Sequence, residues 1–183
     1  MEMLSPLRLD ASVWPVTAAQ CAVDFWNRNP PHLIGKNQWQ TRLRDTLDIV
    51  VPDWAWVTER PCATHGDLTL CNTMSRVRSE SWDMVFVDPV FPERVPQIAA
   101  TDQARIVQSM LGWEVMTGFQ VADDDFDWFF PSFLSLSAST REVVVMSFWV
   151  YVMMARIASS KSVTEEERAW AKYLRDEIRR ALP

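Results

Sequence analysis

The run Val143–Ala155 constrains this chain more than any other stretch. It is apolar throughout except for Ser147, and Ser139 with Glu142 reads as a capping box that opens it as a helix. A helix without a polar face has to be enclosed, and this run is shorter than the ~20 residues needed to cross a bilayer. The pattern therefore predicts a buried central helix with others packed around it.

Stretches able to surround it lie on both sides. Thr17 with Gln20 opens an expected helix to about Arg28, with Ala18, Cys21, Ala22, Phe25 and Trp26 on one face, and Pro30-Pro31 stops it. A second is expected from near Asn37, where Trp39, Leu43, Leu47 and Val50 recur at helical spacing. Thr101 is expected to cap a third that runs to about Met116, with Ala104, Val107, Met110 and Leu111 inward. Thr164 with Glu167 opens the last, amphipathic through Ala169, Trp170, Tyr173, Leu174 and Ile178. Between the second and third helices, Thr73–Val77 and Met84–Asp88 are strand-like and are joined by the polar stretch 78–83, which suggests a hairpin.

No internal repeat or low-complexity linker divides the chain. The expectation is a single α+β, mostly helical domain over 1–183. It comprises leading helices in 1–60, a loop and hairpin in 61–97, and a helical remainder in 98–183.

Composition excludes some classes. A chain of 183 residues with 48% hydrophobic content and ten tryptophans is long and apolar enough to build a core, which argues against disorder. A net charge of −6 argues against a nucleic-acid partner, since phosphate backbones are bound by clustered Lys and Arg. Cys21, Cys62 and Cys71 are an odd set without metal-ligand spacing, and Met1–Asp10 carries no signal-peptide pattern. Reduced thiols in a cytoplasmic protein are the expectation, with Cys71 as a small packing residue rather than a reactive thiol.

The chemistry concentrates in His65-Gly66-Asp67-Leu68-Thr69-Leu70-Cys71-Asn72 and in Asp88, which ends the apolar run Met84-Val85-Phe86-Val87. Phosphoryl transfer needs a carboxylate to orient or deprotonate the accepting hydroxyl, and oxygen ligands to hold Mg²⁺ against the phosphates. In the kinase pattern an Asp, an Asn five residues on and a second Asp at a strand end meet that need. Asp67 is the candidate base, and Asn72 and Asp88 are the candidate metal ligands. His65 belongs to the same catalytic loop, more as a hydrogen-bonding hub than as a proton carrier.

The His-Gly-Asp-Leu opening resembles the aminoglycoside phosphotransferase and choline kinase-like group of small-molecule kinases. Asp88-Pro89 departs from the Asp-Phe-Gly of protein kinases but suits this group. Thr101–Ser109 is similar to the Asp-Leu-Ala-Lys type segment that opens the group's next helix, and Leu111-Gly112-Trp113-Glu114 is similar to some members. The resemblance covers about residues 60 to 115.

It implies a protein kinase-like C-terminal lobe, Mg²⁺ with ATP or GTP, and transfer of the γ-phosphoryl group to a hydroxyl. It also marks Asp123, Asp124, Asp125 and Asp127, beside Phe126, Trp128, Phe129 and Phe130, as a loop for a cationic substrate, although a solvated acidic loop is the commoner use of such a run. Asp102 and Glu114 could touch the site, but the expected roles are to cap a helix and to support the site by hydrogen bonding, respectively.

The chain's glycines are Gly35, Gly66, Gly112 and Gly118, and its lysines are Lys36, Lys161 and Lys172, so no Gly-rich loop or strand-borne Lys precedes His65. The expectation is a C-lobe without an N-terminal lobe, whose exposed face a protein partner or a second copy covers, with no nucleic-acid or membrane partner. The alternative is a kinase-derived pseudoenzyme that acts as a binding, regulatory or inhibitor protein.

Overall fold

The computed structural model describes residues 4–6, 36–56, 64–78, 81–90, 96, 98–112 and 140–183. Within them the fold is mostly helical with a small antiparallel sheet. The helices are α1 (Lys36–Leu47), α2 (Ala99–Met110), α3 (Thr140–Ser159) and α4 (Glu165–Ala181). The sheet consists of the hairpin β2 (Thr73–Arg78) and β3 (Ser81–Phe86), with the short strand β1 (Leu4–Pro6) on the β2 edge. The expected helix over Thr17–Arg28 lies outside the described residues.

α3 is the central helix that the apolar run predicts. Met146, Trp149, Val150, Val152 and Met154 are each at most 2% exposed, and α2 and α4 pack along it. It is longer than its apolar run. By length and composition Arg141–Ser159 could cross a membrane, but most of that segment is enclosed by the rest of the protein. A 3-10 turn, Asp53–Trp56, closes another side: Trp54 meets Phe148 and Trp56 meets Trp149 edge to face at 5.5 and 5.4 Å. Trp149 Nε1 donates to the Ala55 carbonyl at 3.0 Å, so the central indole is both packed and hydrogen-bonded.

α4 begins with the capping box its sequence announces. Thr164 Oγ1 accepts from Glu167 N, and Glu167 Oε2 accepts from Thr164 N. Its inward face is Trp170, Ala171, Leu174 and Ile178; Tyr173 and Ala169, expected inward, face solvent.

α1 buries Trp39 and Leu43 as expected but stops at Leu47. Asp48 adopts a left-handed conformation (φ 55°) and donates to the Arg44 carbonyl at 2.9 Å, an ending that leaves the chain extended. Ile49 and Val51 then point inward and Val50, 60% exposed, points out. The helical spacing that placed Val50 inward had already ended.

The hairpin is tighter than expected. Arg78 pairs with Ser81 and Thr73 with Phe86, so most of the polar stretch 78–83 belongs to the strands rather than to a loop. α2 also differs from expectation. It ends at Met110, its N-cap is Ile98 without a side-chain cap, and Thr101 Oγ1 instead bonds the Ile98 and Pro96 carbonyls from inside the first turn.

Candidate functional site

Residues 64–72 form a compact loop leading into β2. Gly66 has φ 81°, a conformation that a residue with a Cβ rarely adopts, which explains a glycine between His65 and Asp67. The loop then closes on itself: Thr69 N donates to the Asp67 carbonyl at 2.9 Å, Asn72 N to the Thr69 carbonyl at 3.2 Å, and Thr73 Oγ1 to the same carbonyl at 2.9 Å.

Asn72 Nδ2 donates both to the Asp67 carbonyl (2.8 Å) and to Asp67 Oδ2 (2.9 Å). Two acceptors around Nδ2 fix the orientation of the amide, leaving Asn72 Oδ1 as the atom that side chain can offer a cation.

Asp88 follows β3. Its φ of 56° is left-handed, an uncommon conformation for a residue other than glycine, and its side chain is exposed. Main-chain bonds on both sides hold it against the loop: Val87 N donates to the Asn72 carbonyl at 2.9 Å, and Val90 N to the His65 carbonyl at 2.8 Å. A backbone outlier held from both sides is a common mark of a functional position. The fold thus sets the Asp88 backbone beside the segment that carries Asp67 and Asn72.

Asp102 anchors this arrangement. It is 0% exposed, its Oδ2 accepts from His65 N at 2.8 Å, and its Oδ1 accepts from Gly66 N at 2.7 Å. Expected to cap α2, it instead uses its carboxylate to bind two buried loop amides more than thirty residues away. Charged acceptors on buried N–H groups make some of the stronger hydrogen bonds in proteins. His65 is 2% exposed, and its ring meets Phe86 edge to face at 6.0 Å. This burial suits a residue that fixes the loop.

Arg105, one turn beyond Asp102 on α2, completes the site. Its Nη1 donates to Gln108 Oε1 at 2.8 Å, and its Nε lies 3.4 Å from Asp67 Oδ1. The Arg156 guanidinium of α3 is held below the ordinary arginine range, first by burial and then by the positive charges of Arg105 and Arg42, with Asp67 acting in the opposite direction. As a residue Arg156 is exposed, so its desolvation is partial and the neighbouring charges say more about the site. It remains cationic at any working pH.

Asn72 Oδ1 and the Asp88 carboxylate are oxygen donors of the type a divalent cation takes. Among the described residues no three His, Cys, Asp or Glu side chains gather as a metal cage. Mg²⁺ commonly binds through one or two protein oxygens and completes its shell with water and substrate phosphates, and an amide oxygen with an exposed carboxylate are donors of that kind.

Cys71, expected as a packing residue, is exposed, with its Sγ 3.2 Å from Thr69 Oγ1. Glu114, the acidic positions Asp123, Asp124, Asp125 and Asp127, and the aromatic residues beside them lie outside the described residues. The motif names Asp67, Asn72 and Asp88, whereas Asp102 and Arg105 join the same loop only through the geometry. The available signal was the polar set Thr101, Asp102, Gln108 and Ser109 in a helix read for its apolar face; all four are at most 4% exposed.

No family model, curated protein or solved structure matches this chain. Its functional reading rests on its own residues and their geometry.

Proposed function

We propose that the chain is a phosphotransferase of kinase-like C-lobe type, which moves the γ-phosphoryl group of ATP or GTP to a hydroxyl. The observation that carries this reading is the loop itself: Asp67 and Asn72 joined side chain to side chain, and the strained Asp88 backbone bonded to that loop on both flanks.

In this reading Asp67 receives or orients the acceptor's proton. Its Oδ2 is engaged by Asn72, which fixes the direction of the carboxylate. Asn72 Oδ1 and the Asp88 carboxylate would hold Mg²⁺, and the bound ion would supply charge neutralisation at the transferring phosphate. Asp102 and His65 keep the loop in shape.

A second reading, a kinase-derived binding or regulatory protein, draws on the lysines. No lysine lies anywhere in residues 64–110, and Lys36 is bound to Asp53 at 2.6 Å. The phosphate grip of the first reading therefore needs a partner chain or other cations of this one.

Substitution separates the two readings. Asp67→Ala is expected to preserve nucleotide binding and lower turnover by roughly 10²- to 10⁴-fold, the scale of a positioned base. Asp88→Ala is expected to abolish Mg²⁺-dependent nucleotide binding. A chain that binds no nucleotide, alone or with its natural partner, and whose biological activity survives both substitutions would be a binding protein.

A further inference from the structure

α2 buries a polar set that a core helix does not need. Thr101, Asp102, Gln108 and Ser109 are at most 4% exposed, and buried polar groups are costly unless hydrogen bonds take them up. Asp102 uses its carboxylate on the loop backbone, and Gln108 Oε1 accepts from Arg105 Nη1 at 2.8 Å. Arg105 stands between these two residues at intervals of three, the spacing at which helical side chains meet.

The buried amide thus holds one end of the Arg105 guanidinium group, and the other end turns to the loop. Arg105 Nε lies 3.4 Å from Asp67 Oδ1, with the Arg105 side chain 18% and the Asp67 side chain 35% exposed. Among the described residues this ion pair is the one interaction of that buried nitrogen, which makes no hydrogen bond. Asn72 Nδ2 holds the other carboxylate oxygen, Oδ2, at 2.9 Å. One fixed oxygen leaves a carboxylate free to rotate, whereas two fix its plane. A planar guanidinium group suits this task, since it bonds the amide through one nitrogen and faces the carboxylate with another at a set angle. The separation exceeds the roughly 2.7–2.9 Å of a tight charge-assisted bond, and such contacts at reacting groups often close only when substrate is bound.

We propose that Arg105 is the positioning residue of the candidate base: braced by Gln108, it fixes the plane of the Asp67 carboxylate, so that an acceptor hydroxyl meets it from one direction. The inference rests on the phosphotransferase reading for its purpose, but the brace can be measured without turnover.

The test uses the full chain and reads both. In proton–nitrogen correlation spectra the side-chain amide of Asn72, assigned by its loss in Asn72→Asp, reports on the Asp67 carboxylate, and the main-chain amides of His65 and Gly66 report on the loop as a whole. Arg105→Gln is expected to shift the Asn72 side-chain signals and speed their hydrogen exchange while His65 and Gly66 keep their protection. Gln108→Leu removes a group that reaches Asp67 only through Arg105, so it is expected to give the same change in smaller degree and to add nothing to Arg105→Gln. It carries the same test if Arg105→Gln does not fold. In hydrolysis of Mg²⁺-ATP by water, Arg105→Gln is expected to lower kcat roughly 10- to 100-fold with KM little changed, and Arg105→Lys to recover part of the loss.

Asn72 signals that a folded Arg105→Gln leaves unchanged overturn the brace. So does loss of protection at His65 and Gly66 along with them, which would make Arg105 a structural residue of the loop, and so does a double variant that exceeds Arg105→Gln. Spectra that respond as expected in a wild type that never binds Mg²⁺-nucleotide would instead sink the phosphotransferase reading and leave the brace standing.

Discussion

The pair α3–α4 and the loop 64–72 are both held in place, by opposite means. The helical pair is held by apolar burial and local signals: side chains around Trp149 exclude water, and Thr164 and Glu167 close α4 three residues apart. The loop has a buried carboxylate for its anchor. Asp102 holds His65 and Gly66 through their amides, and its energy comes from hydrogen bonds that would be costly to leave unmade. Apolar packing tolerates many side chains of similar size, whereas a buried carboxylate facing two amides tolerates almost none. That difference suits a scaffold in the first region and a preorganised site in the second.

The largest expected effect breaks the apolar side. Trp149→Ala should cost about 3–5 kcal/mol, the range for removing a buried aromatic side chain, read as a shift of the denaturant midpoint. The loss should reach the whole domain, because Trp149 joins α3 to the 3-10 turn through Ala55 and Trp56.

Asp102→Ala should come next, at about 3 kcal/mol, since it strands two buried N–H groups. Hydrogen exchange sharpens the comparison: in Asp102→Ala the amides of His65 and Gly66 should lose protection while those of α3 retain most of theirs. Equal loss in both regions would show that the loop and the scaffold form one cooperative unit.

Thr164→Ala removes only half of a capping box and should cost about 1 kcal/mol with no effect on nucleotide binding. Measured binding changes would mean that α4 couples to the site.

The smallest effect is electrostatic. The Asp53 carboxyl is held below its ordinary value by its hydrogen bond to Lys36 and by that residue's charge. A carboxyl depressed in the folded state contributes stability above its unfolded pKa, and the contribution is lost as pH falls through the folded value. Lys36→Ala should therefore lower the unfolding midpoint slightly at neutral pH, with the gap to wild type closing in acid. A gap that persists in acid would assign the effect to the lysine's packing.

The same contrast governs what could be read in the sequence. α3 and the α4 capping box were legible because their causes lie within a few residues of one another. The end of α1 was not, since nothing in the spacing of Leu43, Leu47 and Val50 shows that Asp48 turns left-handed. Tyr173 was misplaced because α4 meets α3 on a narrower face than its apolar residues span, with Ala171 fully buried instead. The identities of Asp67, Asn72 and Asp88 stood out because those residue types at that spacing resemble a kinase-type catalytic loop. Asp102 stayed hidden because its partners are backbone atoms more than thirty residues away, and no local pattern records such a bond.

The most direct test of the central claim replaces Mg²⁺ with Mn²⁺ and follows the metal by electron paramagnetic resonance, with and without nucleotide. If Asn72 and Asp88 share a cation with nucleotide phosphates, Mn²⁺ should bind stoichiometrically when ATP or GTP is present, with the bound signal lost in Asp88→Ala and retained in Asp67→Ala. Free Mn²⁺ in the wild-type sample, beyond what nucleotide alone chelates, or a bound signal that Asp88→Ala leaves intact, would contradict the claim.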